Sequence, residues 1–326
     1  MRSRILELLR KAGEEYMSGE EIAKRLGVSR TAVWKHIKEL REAGYGIKSR
    51  SRSGYALEET PDCLLPGEIK NGLRTRFIAK DIVFFEEIDS TNQVAKQLAQ
   101  KGAAAGTVVV AESQGKGRGR LERSYFSPAG KGIWFSVILR PHILPQEAPK
   151  CTLLAAVAVA MAMKRFGLKA EIKWPNDILH ERKKLTGILT EMSAEIDRIN
   201  YIVIGTGINV NIEEEEFPEE LRDKATSLSI MKGERLPRVA FFQAVLEALD
   251  ELCIVLEEDG FAPIIARWRE YAVTLGQEVH VIGAIGKDSF DGRAVDIDEE
   301  GALLVETEGG VRRVLAGDVS IRPKKA

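Results

Sequence analysis

The hydrophobic pattern of this chain changes character twice, so its 326 residues do not share one repeating architecture. Up to Leu57, apolar residues recur at helical spacing and then pass into two short strands. Between residues 67 and 270, β-rich runs (Ile82-Val83-Phe84-Phe85, Val108-Val109-Val110, Ile133 to Leu139, Ile202-Val203-Ile204) mix with helical segments. From Leu275 onward the apolar stretches are short: Val279-His280-Val281-Ile282, Arg293-Ala294-Val295, Leu303-Leu304-Val305 and Arg312-Arg313-Val314, set apart by Gly or Asp turns. The fold class expected is α+β and multidomain, divided at 1–60, 67–272 and 273–326. A linker with two prolines, Glu58 to Pro66, follows the first part.

The first part reads as three helices and a hairpin. Ile5, Leu8 and Leu9 stripe the first helix. Ser18 followed by Glu21 is a capping box opening the second, with Ile22, Ala23 and Leu26 facing inward and Gly27 ending it. Ser29 caps the third, where Val33, Ile37 and Leu40 recur at helical spacing, and Gly44 ends it. Residues 46–57 make two strands around a basic turn. A helix-turn-helix reads the major groove with the first residues of its second helix. Arg30, Thr31 and Lys35 hold those positions, Lys38 and Arg41 extend the basic face, and Lys48, Arg50 and Arg52 would form a wing along the phosphates. Trp34 fits either core or surface, and His36 fits packing. Residues 1–57 carry thirteen basic and seven acidic side chains, hence +6, whereas the whole chain is at −1. A polyanion partner is therefore expected for the front end alone.

Three cysteines, Cys63, Cys151 and Cys253, lie far apart without a C-x-x-C, and the four histidines have no metal-ligand spacing. A disulfide framework or zinc site is not expected, and a reducing cytoplasm fits. Met1 to Tyr16 is charged and amphipathic, unlike a signal peptide. The apolar run Cys151 to Met163 is too short for a bilayer and reads as a buried, alanine-rich helix, so no membrane partner is expected. Glu213 to Glu216 reads as a solvated loop.

The stretch Gln114-Gly115-Lys116-Gly117-Arg118-Gly119-Arg120 carries the most chemistry. Alternating glycines let backbone N–H groups approach an anion, and the interleaved cations neutralise it. No G-x-x-x-x-G-K-[ST] overlays it, and the third glycine of G-x-G-x-x-G is missing. Three further motifs accompany it. Asp89-Ser90-Thr91-Asn92 offers hydroxyls and an amide to a polar, uncharged ring. Lys173-Trp174-Pro175-Asn176-Asp177 precedes Lys184 by a hairpin-like segment. Gly205-Thr206-Gly207-Ile208-Asn209 follows an apolar strand and permits close approach.

In this order, over essentially the whole chain, these motifs resemble those of the bifunctional biotin–protein ligases, the biotin operon repressors. The resemblance implies a winged helix-turn-helix, a class II synthetase-like mixed-sheet ligase domain and a small SH3-like β-barrel. It implies that Ser90, Thr91 and Gln114 bind the ureido ring of biotin with Asn92 nearby, and that Gly117 and Arg118 meet its carboxylate or the adenylate. Lys184 would bridge that carboxylate and the α-phosphate, while Gly187 and Gly207 line the pocket. Arg120, Arg123, Tyr125, Asn176 and Asn209 would serve ATP. Lys184, Arg118, Arg120 and Asp177 would carry catalysis, Asp177 by positioning the acceptor amine or taking its proton. The family commonly has Arg-Gly where this chain has Leu121 and Glu122, and Trp where it has Tyr125.

The implied activity makes biotinyl-5'-AMP from biotin and ATP with Mg²⁺, its metal ligands unknown, then transfers biotin to a lysine of a biotin carboxyl carrier protein or domain. The implied partners also include operator DNA, and a homodimer when adenylate is bound. A lipoate–protein ligase-like enzyme, a non-catalytic biotin-sensing transcription factor and a nucleotide-binding scaffold are the competing readings. The Gly/Arg loop and winged helix argue against the first. Lys184 with the intact Lys173-to-Asp177 run argues against the second.

Overall fold

A computed structural model describes residues 1–120, 123–283, 289–316 and 319–323. Leu121 and Glu122, where the loop departs from its family's pattern, lie outside the described residues. The chain forms two compact units, Met1–Cys63 and Leu64–Ala326.

In the first unit, helices α1 (Arg2–Ala12), α2 (Gly19–Leu26) and α3 (Arg30–Glu42) precede an antiparallel hairpin of β1 (Gly46–Arg50) and β2 (Gly54–Glu59). Both serines cap their helices, Ser18 accepting from the Glu21 N–H and Ser29 from the Ala32 N–H, each at 3.1 Å. The Glu21 carboxylate pairs with Arg25 at 2.6 Å, so only the serine half of the expected capping box is seen. Gly27 closes α2 in the left-handed conformation, whereas α3 is capped by Ala43 with Gly44 one residue beyond. The inward face of α1 is Ile5, Leu6 and Leu9; Leu8, assigned to that face from the sequence, is only half-buried. Leu6 and Leu8 lie on opposite flanks of the line from Ile5 to Leu9, so a modest turn of the helix exchanges one for the other. Leu26 is likewise half-buried, and Trp34 is a surface residue at 57% exposure.

In the second unit a seven-stranded mixed sheet runs in the order β3 (Ile82–Ile88), β4 (Val108–Gln114), β5 (Gly132–Leu139), β9 (Ile199–Asn209), β8 (Lys183–Ala194), β7 (Asp177–His180), β6 (Glu171–Lys173). Only β3 and β4 run parallel; the other pairs are antiparallel. The parallel pair requires a crossover, which is α5 (Thr91–Gln100). Alternation along β9 assigns the faces. Ile202, Ile204 and Ile208 join the main core with α6 (Pro149–Arg165) and α9 (Arg238–Glu258), while Tyr201 and Val203 join the smaller cluster under α5. Gly205 and Gly207 therefore face the α5 side. The Cys151–Met163 run lies within α6 and is buried nearly all round, as its composition predicts. Residues 214–216 form one exposed 3₁₀ turn, a little more regular than the loop expected.

Strands β10 (Glu278–Gly283), β11 (Phe290–Ile297), β12 (Leu303–Thr307), β13 (Gly310–Val314) and β14 (Val319–Pro323) make an antiparallel sheet ordered β13-β12-β11-β10-β14. Among the described residues β13 and β14 are not paired to each other, so the closed barrel implied by the resemblance is not seen there. Val279, Val281, Ala294, Leu303 and Val305 share the main core with the larger sheet. Trp174 ties the two together: its N–H donates to Thr274 Oγ1 at 2.9 Å and its indole to the Gly301 carbonyl at 3.1 Å. Among the described residues no helix is long and apolar enough to cross a membrane.

Candidate functional site

The parallel strands β3 and β4 end side by side at Ile88 and Gln114, and the chain after each contributes to one cavity. Ser90 sits at the N-cap of α5, yet its hydroxyl makes no capping bond and is buried in the cavity wall. Thr91 and Asn92 follow on the first turn, also buried. Gln114 turns back toward them, its Oε1 accepting from the Thr91 N–H at 2.9 Å and its Nε2 donating to Ser127 Oγ at 3.1 Å.

The Gly/Arg loop is a folded hairpin. The Tyr125 N–H donates to the Gly117 carbonyl at 2.8 Å, the Gly119 N–H to the Arg123 carbonyl at 2.7 Å, and Arg118 bridges Ser124. A Cβ at Gly117 would stand 2.4 Å from the Tyr125 carbonyl oxygen, so this glycine lets the return strand pass and does not line the cavity. Arg120 donates to Asn176 Oδ1 at 3.2 Å and to the Ala316 carbonyl. Asp177 lies beside Lys184, whose Nζ is 2.6 Å from Oδ1. That ion pair is the contact made by Oδ1 among the described residues.

Tyr125 lies across a glycine floor. Cβ atoms at Gly187 and Gly207 would come within 2.8 and 2.5 Å of its ring, and its hydroxyl donates to the Gly207 carbonyl at 2.8 Å. Burial pushes its phenol pKa far up, so it stays a neutral donor. Gly205 performs the same service for Asn92: a Cβ there would stand 1.9 Å from Asn92 Oδ1. Gly205→Ala is therefore expected to displace a buried amide at a cost of about 1–3 kcal/mol. Thermal unfolding of the full chain measures this; an unchanged midpoint would show Asn92 free to move.

Two lobes meet at Lys184. The first is lined by Ser90, Thr91, Asn92, Gln114, Arg118, Arg120, Gly187 and Gly207, and its free volume of about 50 Å³ holds only a few waters. An organic ligand thus requires Tyr125 or the hairpin to shift. The second lobe, about 440 Å³, gathers Arg120, Arg123, Lys173, Lys184, Lys224 and Arg322 with the aromatic rings of Tyr125, Phe126 and Phe217. Asp177 is the single carboxylate among its described lining residues. Burial holds the Lys173 pKa below the usual ammonium value; Asp177 partly offsets this, while Lys184, Arg322 and Arg123 add to the depression. Six cations around one carboxylate make a site for a polyanion. Asn176 and Asn209 line this lobe as well, with Asn209 Nδ2 donating to the Thr226 carbonyl at 2.9 Å. Among the described residues no cluster of three His, Cys, Asp or Glu could hold a metal. A magnesium ion here would be one carried in on phosphate oxygens.

Every residue assigned to biotin or ATP from the sequence lines one of the two lobes, Gly117 excepted. Lys173, Arg322, Phe126 and Phe217 were not assigned. Lys173 opens a motif already singled out and could have been read; Arg322 and Phe217 stand far from every motif.

In the first unit, Arg30, Thr31, Trp34, Ser49, Arg50 and Arg52 line a groove between α3 and the hairpin. Lys35 is exposed on α3 close to them in sequence. Lys38 pairs with Glu42 at 3.8 Å, and Lys48 with Glu58, so these two cations are partly neutralised by neighbours.

Residues 84–209 match the biotin/lipoate A/B protein ligase family, residues 2–56 an HTH domain, and residues 274–322 the biotin protein ligase C-terminal domain. The chain is 44% identical over 322 residues to the bifunctional ligase/repressor BirA of Bacillus spizizenii, covering 98% of both chains. It is 31% identical to that of Escherichia coli, covering 95% of this chain and 94% of the relative. Biotin protein ligase from Aquifex aeolicus in complex with biotin and ATP superposes with a TM-score of 0.65 at 31% identity, covering 75% of this chain and all of that one.

Proposed function

The chain belongs to the family of bifunctional biotin–protein ligases and repressors, and from that premise we infer that it activates biotin with ATP, transfers it to a carrier lysine and represses transcription. One observation carries the ligase assignment: a hydroxyl- and amide-lined lobe and a cation-rich lobe meet at one lysine, Lys184.

The first lobe takes the ureido ring. Ser90, Thr91 and Gln114 match its two N–H donors and one carbonyl, and a dithiolane such as lipoate would leave those buried polar groups unpaired. The second lobe takes MgATP, with Tyr125, Phe126 and Phe217 about the base and Arg120, Arg123, Lys173 and Arg322 about the phosphates. In the first step a biotin carboxylate oxygen attacks the α-phosphorus, the bond to the β-phosphate bridging oxygen breaks, and pyrophosphate leaves. Two anions must approach, so cation clamping by Lys184, Arg118 and Arg120 supplies most of the acceleration. Magnesium, arriving with the nucleotide, neutralises phosphate charge. In the second step a neutral lysine amine attacks the acyl carbon and AMP leaves with the C–O electron pair. Asp177, which lines this lobe beside Lys184, receives the amine and its proton. Closure of the 117–125 hairpin keeps water from the mixed anhydride.

The acceptor is a biotin carboxyl carrier domain, and the work is cytoplasmic, where carrier and ATP meet. The 67–272 part is the synthetase-like ligase domain. The 273–326 part is an SH3-like module that completes the site through Arg322 and the Ala316 carbonyl. The 1–60 part is a winged helix whose Arg30, Thr31, Lys35, Arg50 and Arg52 meet operator DNA, with Lys38 and Lys48 exchanging their carboxylate partners for phosphate. Adenylate-driven dimerisation would present two such helices to two half-sites, linking ligand occupancy to DNA affinity.

Incubation with ATP, labelled biotin and a carrier domain, with lipoate as competitor, tests the ligase reading; no label on the carrier, or equal competition by lipoate, sinks it. Deleting residues 1–57 is expected to abolish operator binding in a mobility-shift assay while carrier biotinylation persists within about tenfold. Equal retention of DNA by the truncated and full chains would remove the winged helix from the reading.

A further inference from the structure

We propose that Glu191 is a positioning residue for the ureido end of the site: it holds the Asn92 amide in the orientation that leaves Gln114 Oε1 open to a ligand N–H. The inference rests on the biotin reading above and adds a residue that no motif marked.

Asn92, Ser136, Thr91 and Gln114 form one row of oxygens. Ser136 Oγ lies 2.6 Å from Asn92 Oδ1 and 2.8 Å from Thr91 Oγ1, and Thr91 Oγ1 lies 3.2 Å from Gln114 Oε1. Three contacts need three protons, but the two amide oxygens carry none and each hydroxyl carries one. One contact must therefore lack a proton. The distances say which: the short contacts are Ser136 donating to Asn92 and Thr91 donating to Ser136, and the long one is Thr91 to Gln114. Gln114 Oε1 keeps the Thr91 N–H at 2.9 Å and has a second lone pair open. Its amide cannot turn without losing Nε2 to Ser127 Oγ at 3.1 Å.

A half-turn of the Asn92 amide would reverse this. Nδ2 would then donate to Ser136, Ser136 to Thr91 and Thr91 to Gln114. Every contact in the row would hold a proton, and the open acceptor would be gone. An empty row is better satisfied that way, so something outside it must oppose the turn. On the far side of Asn92, Nδ2 donates to Glu191 Oε2 at 2.8 Å and to the Leu189 carbonyl at 3.3 Å. Both are acceptors only, and turning the amide would set its oxygen against a carboxylate. Glu191 makes the shorter bond. Its other oxygen takes Lys96 Nζ at 2.6 Å, one turn further along α5, which steadies the carboxylate. A ureido ring offers two N–H groups, and under the reversed row one of them would meet an oxygen already occupied.

Asn92 needs an acceptor at position 191, not a charge. Calorimetric titration of the full chain with D-biotin, with ATP KM and kcat measured alongside, separates the possibilities. Glu191→Met is expected to weaken biotin binding about tenfold with ATP KM and kcat at saturating biotin unmoved. Glu191→Gln and Lys96→Met are expected to stay within threefold of wild type. Ser136→Ala breaks the row, so adding Glu191→Met to it should cost nothing further. Wild-type affinity in Glu191→Met, equal losses in Glu191→Gln or Lys96→Met, or additive losses with Ser136→Ala would each overturn the inference. If wild type binds no D-biotin, the ligand reading falls and takes this inference with it; an intact wild type with an indifferent Glu191→Met overturns this inference alone.

Discussion

Lys184→Ala is expected to slow biotinyl-adenylate formation at least about a thousandfold while the fold survives, because Lys184 is, with Arg120, a cation shared by the two lobes. Two negative groups must come within bonding distance there, and a stationary ammonium stabilises the charge that builds between them. About 4 kcal/mol of barrier corresponds to that loss. The side chain is held in place: Asp177 Oδ1 lies 2.6 Å from its Nζ, Tyr125 presents its ring face 5.7 Å away, and its backbone bridges the 224–226 segment. Over a third of the side chain is exposed, so truncation leaves a space that water can fill and the unfolding midpoint should move little. Lys184→Arg should recover only part of the rate, since a planar fork cannot reproduce a point charge. Pyrophosphate release by the purified variants is the measurement. A near-normal rate from Lys184→Ala would remove it from the chemistry, leaving Asp177 and the five other cations to account for the polyanion site.

What the sequence made legible follows from how local each signal is. Ser18, Ser29 and Gly27 act within four residues of themselves, so their capping roles could be read directly. The Gly/Arg loop and the Ser90, Lys173 and Gly205 motifs each hold several functional groups in a short stretch, and the fold brings all of them to one place. Residues that reach the site from afar carry no such mark. Ser136 is a hydroxyl in the middle of Gly132–Leu139, a strand buried on both faces, where nothing in the pattern distinguishes it from a tolerated serine. Glu191 appears as one charge on a half-exposed strand. Arg322 lies on β14, whose short sequence Val-Ser-Ile-Arg-Pro did not read as a strand at all. The exchange of Leu6 for Leu8 has another cause: Leu6 and Leu8 flank the Ile5–Leu9 line on opposite sides, so the helix face stays undecided until tertiary packing selects it.

Arg120→Gly is expected to make adenylate and fail to keep it. Arg120 lines both lobes and stands at the fold of the 117–125 hairpin, where its guanidinium donates to Asn176 Oδ1 and to the Ala316 carbonyl. It therefore fastens the hairpin to the larger sheet and to the C-terminal sheet at once. A hydrogen bond from a charged donor contributes on the order of 1.5–3 kcal/mol, so losing even one should raise the open population of the hairpin at least tenfold. Glycine at this position adds backbone freedom to a stretch that already has Gly115, Gly117 and Gly119. Lys184 and Arg118 remain, so the first step continues, though more slowly. The adenylate then leaves through the loosened hairpin as an acylating agent, and any exposed lysine amine can take the biotinyl group and expel AMP. Label from biotin should appear on a bystander such as serum albumin with the variant and not with wild type, in proportion to adenylate made. Arg120→Lys should show an intermediate leak, because one ammonium can serve one of the two acceptors. If Arg120→Gly makes adenylate, retains it as wild type does and labels no bystander, the hairpin is held by its own backbone ladder, Tyr125 to Gly117 and Gly119 to Arg123, and Arg120 acts on phosphate alone.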